Sequence, residues 1–107
     1  MLTLKRLAGY SLVALIAGAG TLQARTIEVR IENLAYLPSF ITAEQGDVIK
    51  WINNDPFDHT ATVEGGWEIV IPAGETIEQP LEKSELATFY CRYHPTMIGT
   101  LVVKAGD

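Results

Sequence analysis

Between two alternating apolar runs the chain reads CRYHPTM, from Cys91 to Met97. This stretch spaces a thiol, an imidazole and a thioether in the pattern C-x2-H-x2-M. Pro95 has no N–H for a strand ladder, and residues three apart on a strand point to opposite faces. The stretch therefore predicts a tight loop between two strands, and such a loop can turn all three side chains toward one point.

The residues around this loop read as short strands and turns. Residues 26–32 alternate strictly between apolar and polar side chains, which is typical of a half-buried strand. Clusters rich in Gly, Pro, Asn and Asp separate the apolar runs, and no convincing helical stripe is found between them. The predicted strands cover residues 26–32, 39–43, 48–52, 59–64, 67–71, 75–81, 86–91 and 99–104.

This pattern of seven to eight strands without intervening helices predicts an all-β fold, specifically a Greek-key β-sandwich. We expect its strands to pair in antiparallel fashion. Residues 48–52 are apolar on both faces, which indicates a central strand. Trp51 and Trp67 are expected to serve the core rather than function.

The donor atoms of the loop suit a soft metal ion. Two imidazoles and a thiolate, with a weak axial methionine, form the copper site used for electron transfer. His59 supplies the one imidazole outside the loop, and it opens a strand whose inward face also carries Ala61. We therefore predict one copper ion with four ligands: His59, Cys91, His94 and Met97.

Each of these residues has a commoner role when it occurs alone. A lone cysteine is usually a small buried hydrophobe, and a lone methionine usually fills core space. A histidine beside a loop is more often a surface side chain. The shared spacing of all four favours a metal site over these separate roles.

The first 24 residues resemble a secretory signal peptide. Lys5 and Arg6 precede an uncharged apolar run over residues 7–20, and Ala24 provides a small residue before Arg25. Cleavage after Ala24 would leave a domain of residues 25–107 in the periplasm, without stable membrane insertion. An uncleaved membrane anchor is the alternative, although the apolar run is short for a bilayer, which needs about 20 residues.

The charge of the predicted mature domain excludes one class of partner. It keeps six basic residues against all 13 acidic ones, a net charge of −7. Such a surface repels phosphate backbones, so no nucleic-acid binding is expected. One cysteine cannot form an internal disulfide, and in an oxidising compartment it needs another role, such as metal ligation.

These motifs resemble those of the cupredoxins, and the short ligand loop resembles the amicyanin-like branch. The similarity spans most of residues 25–107, and the residues that carry it are Gly46–Trp51, Asn53–Asp55, His59-Thr60 and the run Cys91-x2-His94-Pro95-x-Met97-x-Gly99. One position departs from the pattern. Several relatives have asparagine directly after the first histidine ligand, where this chain has Thr60, whose hydroxyl and N–H can brace the cysteine loop.

The resemblance implies a type 1 blue-copper electron carrier in the periplasm, cycling between Cu(I) and Cu(II). Its partners would be redox proteins such as a c-type cytochrome or a periplasmic dehydrogenase, and the carrier itself would be a monomer. His94 would lead electrons to solvent. An apolar docking patch is expected around it from Pro95, Met97, Ile98, Pro56, Phe57, Tyr36 and Pro38. Ordinary turn chemistry and local packing are the alternative role of these loop residues.

Two other functions compete with this interpretation. A copper protein for delivery or homeostasis usually exposes Met-rich or His-rich tracts, and this chain has none. An enzyme is disfavoured because metal-assisted catalysis needs an open coordination position, whereas four ligands fill this site. Asp55 and Asp58 precede His59, but no nucleophile completes a catalytic set with them.

Overall fold

Alternating apolar residues build nine strands in residues 24–106, the part of the chain that this computed structural model describes. The predicted signal peptide lies outside the described residues, apart from Ala24. Within the described part, no helix is long and apolar enough to cross a membrane. The strands are β1 (Thr26–Glu32), β2 (Ala35–Leu37), β3 (Phe40–Glu44), β4 (Val48–Asn53), β5 (His59–Thr62), β6 (Glu68–Ile71), β7 (Thr76–Pro80), β8 (Glu85–Tyr90) and β9 (Ile98–Lys104).

The strands form two sheets that pack face to face. One sheet has the order β2-β1-β4-β7 and the other β3-β9-β8-β5-β6. This confirms the predicted all-β sandwich and places β4 centrally, between β1 and β7. The strand count is nine rather than seven to eight, because β2 is only three residues long. It is formed by a hairpin whose turn residues, Asn33 and Leu34, both have positive φ, as in a type I′ turn.

The prediction of antiparallel pairing throughout is wrong for two strand pairs. β1 pairs with β4 in parallel, and β3 pairs with β9 in parallel. Parallel neighbours need a crossover between them. Here the crossover from β1 to β4 runs through β3 in the opposite sheet, so no helix is needed.

The inward faces of the two sheets share an aromatic cluster. Tyr36, Trp51 and Phe89 are buried, and their ring centroids lie 4.8 to 6.0 Å apart in edge-on arrangements. Such pairs add roughly 0.5–1.5 kcal/mol each to the burial of the rings. Trp51 is fully buried, and Trp67 packs partly buried against the core, as predicted.

The sheet with β5 and β8 brings two loops to the same end of the sandwich. These strands are antiparallel neighbours with Thr62 opposite Tyr90, the last residue of each strand, so the start of β5 lies beside the loop that follows β8. His59 is the first residue of β5, and Cys91 directly follows β8. Strand pairing alone thus places these two side chains close together.

Gly99 on β9 is required by the aromatic cluster. A Cβ built there would have three ring carbons of Phe89 within 2.8 Å, which is closer than van der Waals contact. We predict that Gly99→Ala lowers the free energy of unfolding by about 1–3 kcal/mol, because Phe89 must shift within a packed core. Urea denaturation measures this loss.

Gly106→Ala is the matched control, since its nearest atom would be 3.4 Å away. Its effect should stay within about 0.5 kcal/mol. Equal stability of the two variants would contradict the proposed role of Gly99.

Candidate metal centre

Three side chains converge at the end of the sandwich where β5 begins and β8 ends. The Sγ atom of Cys91 lies 3.6 Å from Nδ1 of His59 and 3.9 Å from Nδ1 of His94. The three donor atoms all lie within 4.8 Å of one another. His59 and Cys91 are fully buried, whereas His94 is partly exposed.

These separations match a shared metal ion. A sulfur about 2.3 Å and a nitrogen about 2.0 Å from one metal, at angles of 110–120°, are about 3.5–3.7 Å apart. The donor set combines one soft sulfur with two imidazoles, which suits copper or zinc better than a hard cation. The residues present therefore fit a transition metal held by His59, Cys91 and His94.

Met97 lies in the same loop with little exposure. Its side chain is 3% exposed and belongs to the core cluster. The main chain of Met97 closes the loop on itself: its N–H donates to the carbonyl of His94 at 2.9 Å, and its carbonyl accepts from the N–H of Cys91 at 3.1 Å. These bonds hold the three residues of the C-x2-H-x2-M pattern in one tight turn.

Asp55 orients His59 from the side away from the metal position. Its Oδ2 lies 2.9 Å from Nε2 of His59. With Nε2–H donating to this carboxylate, Nδ1 keeps a free lone pair that points toward Cys91. Burial by itself would raise the pKa of Asp55. The hydrogen bonds donated to its carboxylate by Leu34, His59 and Asn33 have a larger combined effect, so the pKa of Asp55 is lowered.

The same carboxylate also binds the turn between β1 and β2. Asp55 accepts the N–H of Asn33 at 2.7 Å and that of Leu34 at 2.9 Å. It thereby joins a distant hairpin to a buried histidine. This role of Asp55 is not predicted by the sequence pattern, which placed Asp55 only beside His59 as a possible member of a catalytic set; the one local signal is its spacing of four residues before His59.

Thr60 braces the cysteine loop in the two ways expected from its position. Its N–H approaches Sγ of Cys91 at 3.4 Å, and its hydroxyl accepts the N–H of Arg92 at 2.8 Å. Because Thr62 donates its proton to Glu68, the Thr60 hydroxyl donates to Thr62 at 2.8 Å. The buried hydroxyls of Thr60 and Thr62 therefore both have hydrogen-bond partners.

Tyr36 also supports the site, although it was predicted to lie on the surface. It is 2% exposed, and its hydroxyl donates to the carbonyl of Thr60 at 2.5 Å. Burial, and to a smaller extent the charge of Cys91, raises the pKa of Tyr36 far above its usual range. The expected apolar patch is therefore wrong for Tyr36 and for Met97, because the core takes up both side chains.

Other members of the expected patch are on the surface. Phe57 is 52% and Ile98 56% exposed. The Phe57 ring lies 6.0 Å from the ring of His94, centroid to centroid. Pro38, Pro56 and Pro95 are exposed as well. Tyr93 is a further exposed aromatic, directly before His94 in the chain.

The hydroxyl of Thr60 gives a test of this bracing. We predict that Thr60→Val lowers the free energy of unfolding of the metal-free protein by about 1–3 kcal/mol, since the Arg92 N–H loses its partner. Thr60→Ser keeps the hydroxyl and should lose only about 0.8 kcal/mol for the missing methyl group. Urea denaturation of both variants measures the difference, and a valine variant as stable as the serine variant would contradict the role of the hydroxyl.

The fold and the site agree with what is known of other proteins. A family model described as copper binding proteins of the plastocyanin/azurin family matches residues 23–104. A mutant of amicyanin in the Cu(I) form is 20% identical with a TM-score of 0.67, covering 74% of this chain and 82% of that one. Another amicyanin mutant, in the reduced state, is 21% identical with a TM-score of 0.66, covering 82% of this chain and 89% of that one.

A larger protein contains the same fold. The copper-containing nitrite reductase of Thermus scotoductus is 23% identical with a TM-score of 0.67, and the match covers 84% of this chain but 25% of that one. Because the family model spans most of the chain, and because His59, Cys91 and His94 are placed for a type 1 copper site, the protein belongs to the plastocyanin/azurin family of copper-binding proteins, the cupredoxins, with the fold of amicyanin.

Proposed function

We propose that this protein is an exported type 1 blue-copper electron carrier that shuttles electrons between redox proteins. The observation that carries the proposal is the convergence of one cysteine sulfur and two histidine Nδ1 atoms at the end of a copper-family sandwich. We assign one copper ion per chain to His59, Cys91 and His94, with Met97 as the weak axial ligand. Bound copper would supply a one-electron couple between Cu(I) and Cu(II).

The assignment of Met97 is supported by its position. It is nearly buried and shares a tight, hydrogen-bonded loop with Cys91 and His94. A thioether has no strong hydrogen-bonding needs, so it can lie in this apolar setting without a partner. A soft, weakly held donor is what an axial position requires in a site of this class.

The surroundings of the ligands favour fast electron exchange. The hydrogen bond that His59 donates to Asp55 and the one that the Thr60 N–H donates to Cys91 restrain both ligands before any metal binds. Ligands held by packing and hydrogen bonds move little when the charge of the metal changes. A small reorganisation is the main demand on an electron carrier.

His94 provides the route for electrons to leave the protein. Its Nδ1 faces Cys91, while its ring is partly exposed; His59, by contrast, is fully buried. Exposed Phe57 lies beside the His94 ring, and exposed Ile98 directly follows Met97 of the ligand loop, so each offers apolar surface for brief contact with another redox protein. The acidic charge of the domain favours partners with a basic rim around their own redox centre.

The cellular setting follows from the N-terminal sequence. Lys5 and Arg6, the apolar run and Ala24 support export to the periplasm and cleavage before Arg25. In that compartment a monomeric carrier would meet a c-type cytochrome or a periplasmic dehydrogenase, the two partner classes that we propose. No enzymatic activity is proposed for the chain, because four ligands leave no open position on the metal.

The copper spectrum is the direct test of this function. We predict that residues 25–107 loaded with Cu(II) show an intense thiolate-to-copper absorption band and a narrow copper hyperfine splitting in EPR. Cys91→Ala should abolish both, since the band needs a thiolate ligand. A pale complex with ordinary tetragonal EPR would contradict the electron-carrier proposal and favour copper delivery or homeostasis instead.

Asp55 should tune the reduction potential of the copper. Its carboxylate stabilises the more positive Cu(II) state through His59, so Asp55→Asn should raise the potential. Charges about 7 Å apart interact by about 2 kcal/mol at an effective dielectric constant of 20, which corresponds to about 100 mV. Protein-film voltammetry measures the shift.

Asp58→Asn provides the matched control for this prediction. Asp58 is an exposed carboxylate in the same loop, and it accepts the N–H of Ala73 rather than contacting a ligand. Its replacement removes the same charge and should shift the potential much less. Equal shifts in the two variants would mean that overall charge, not the contact with His59, sets the potential.

A further inference from the structure

A second buried carboxylate lies at the opposite end of β4 from the metal centre. Asp47 directly precedes β4 and is 4% exposed. The six residues of β4 separate it from the metal end by about 20 Å. Its function is not explained by metal binding, so the groups that surround it must account for its burial.

Asp47 is held by donors from two segments. Its Oδ1 accepts the main-chain N–H of Arg25 at 3.0 Å, and its Oδ2 accepts the main-chain N–H of Glu44 at 2.9 Å. The guanidinium of Arg25 also donates to Oδ2, at 3.2 Å. Two of the three donors therefore belong to the residue that precedes β1.

The main chain of Arg25 is fastened beside this carboxylate as well. Its carbonyl accepts the N–H of Val48 at 2.9 Å, at the start of the parallel pairing of β1 with β4. Ala24, the next residue toward the N-terminus, is exposed. The nitrogen of Arg25 is thus held against Asp47 at the point where the fold begins, while the peptide bond before it lies at the surface.

Asp47 differs from Asp55 in the kind of nitrogen that it binds. Asp55 follows β4 as Asp47 precedes it, and both accept main-chain N–H groups from residues that flank β1. At Asp55 these donors are amides in the middle of the chain. At Asp47 the donor is the nitrogen of the residue that would become the N-terminus on export.

We propose that Asp47 is the binding site for the α-ammonium group of Arg25, which is produced when the peptide bond between Ala24 and Arg25 is cleaved. Hydrolysis by a signal peptidase adds one water, leaves a carboxylate on Ala24 and gives Arg25 an amine that takes up a proton. The hydrogen bond from a neutral amide N–H to the charged Asp47 thereby becomes a shielded ion pair. Processing completes and strengthens the fold at this end. This inference rests on the proposed export and cleavage of the chain.

The electrostatics of Asp47 support the pairing. Burial by itself would raise its pKa, but the N–H groups of Glu44 and Arg25 and the Arg25 guanidinium outweigh burial and lower this pKa. The carboxylate is therefore charged at neutral pH. Charged residues near this end of the described part of the chain include Glu44, which lies opposite Lys104 in the register of β3 and β9, and Glu82, whose carbonyl accepts from Gln45.

The pH dependence of the ion pair follows from its two members. An ammonium that gains a partner has a raised pKa, so its contribution is present below the ordinary value of about 7.7–8.0 and is lost as pH rises through the raised value. Asp47 has a lowered pKa, so its contribution is present above about pH 3.9 and is lost as pH falls through the lowered value. The stabilisation should span roughly pH 4 to 8.

Four proteins test the proposal. One chain starts at Arg25, made from a fusion whose protease leaves no extra residue; a second starts at residue 23, which moves the amine two residues away. Each is also made with Asp47→Asn. At pH 6 the Tm of the chain starting at Arg25 should exceed that of the longer chain by about 4–8 °C. With Asp47→Asn this difference should disappear.

Equal Tm values for the two chains with Asp47, or a difference that persists with Asp47→Asn, would overturn the proposal. If Asp47→Asn prevents folding, an NMR titration of the α-amine in the chain starting at Arg25 decides the matter. A pKa above the ordinary range of about 7.7–8.0 supports the ion pair, and a pKa within or below that range refutes it.

Two readouts separate this inference from the proposals on which it depends. The copper spectra of the two chains with Asp47 should be identical, because the site lies at the other end of the sandwich. The mass of the exported protein shows independently whether cleavage occurs before Arg25, and another cleavage position would overturn the assignment of Asp47 to the mature N-terminus.

Discussion

The contact of β5 with the end of β8 and with the loop that follows it is the constraint on which the metal centre depends. The ladder between these strands is short, with Thr62 opposite Tyr90, and it ends before Cys91. Beyond that point Thr60 replaces ladder bonds with its own: its N–H faces the cysteine sulfur, and its hydroxyl accepts the next N–H of the loop. Buried polar groups need hydrogen-bond partners. Because the bonds of Thr60 take the place of ladder bonds, the chain can leave the sheet at Cys91 without a buried N–H group that lacks an acceptor.

The strand β1 is secured at both ends by carboxylates that flank β4. Asp47 binds the residue before β1, and Asp55 binds the turn after it. Parallel pairing of β1 with β4 brings both carboxylates into position, since parallel neighbours have their starts at one end and their finishes at the other. One carboxylate then faces a metal ligand and the other faces the N-terminal nitrogen of the fold. A buried carboxylate that accepts main-chain N–H groups thus orients a metal ligand at one end of β4 and holds the first residue of the fold at the other end.

Several features of the site could be predicted because they depend on the spacing of residues that lie close together in the chain. The interval from Cys91 to Met97 and the isolated His59 indicated which donors could meet, and the structure brings His59, Cys91 and His94 together. Met97 remains a predicted ligand that its burial supports. The roles of Asp55 and Tyr36 could not be predicted in the same way. Each contacts the site through a partner on another strand, and no periodicity in the chain marks such a contact.

By itself, the sequence determined the sandwich class, the positions of eight strands and the chemistry of the donor set. These follow from alternation, turn residues and ligand type, all of which act over a few residues. Only the tertiary structure decided the parallel pairs, the burial of Tyr36 and Met97, and the partners of Asp47 and Asp55. The physical reason is that these depend on which strands become neighbours. That choice is made by packing two sheets over a shared core, and residues 22 positions apart in the chain become hydrogen-bond partners only once it is made.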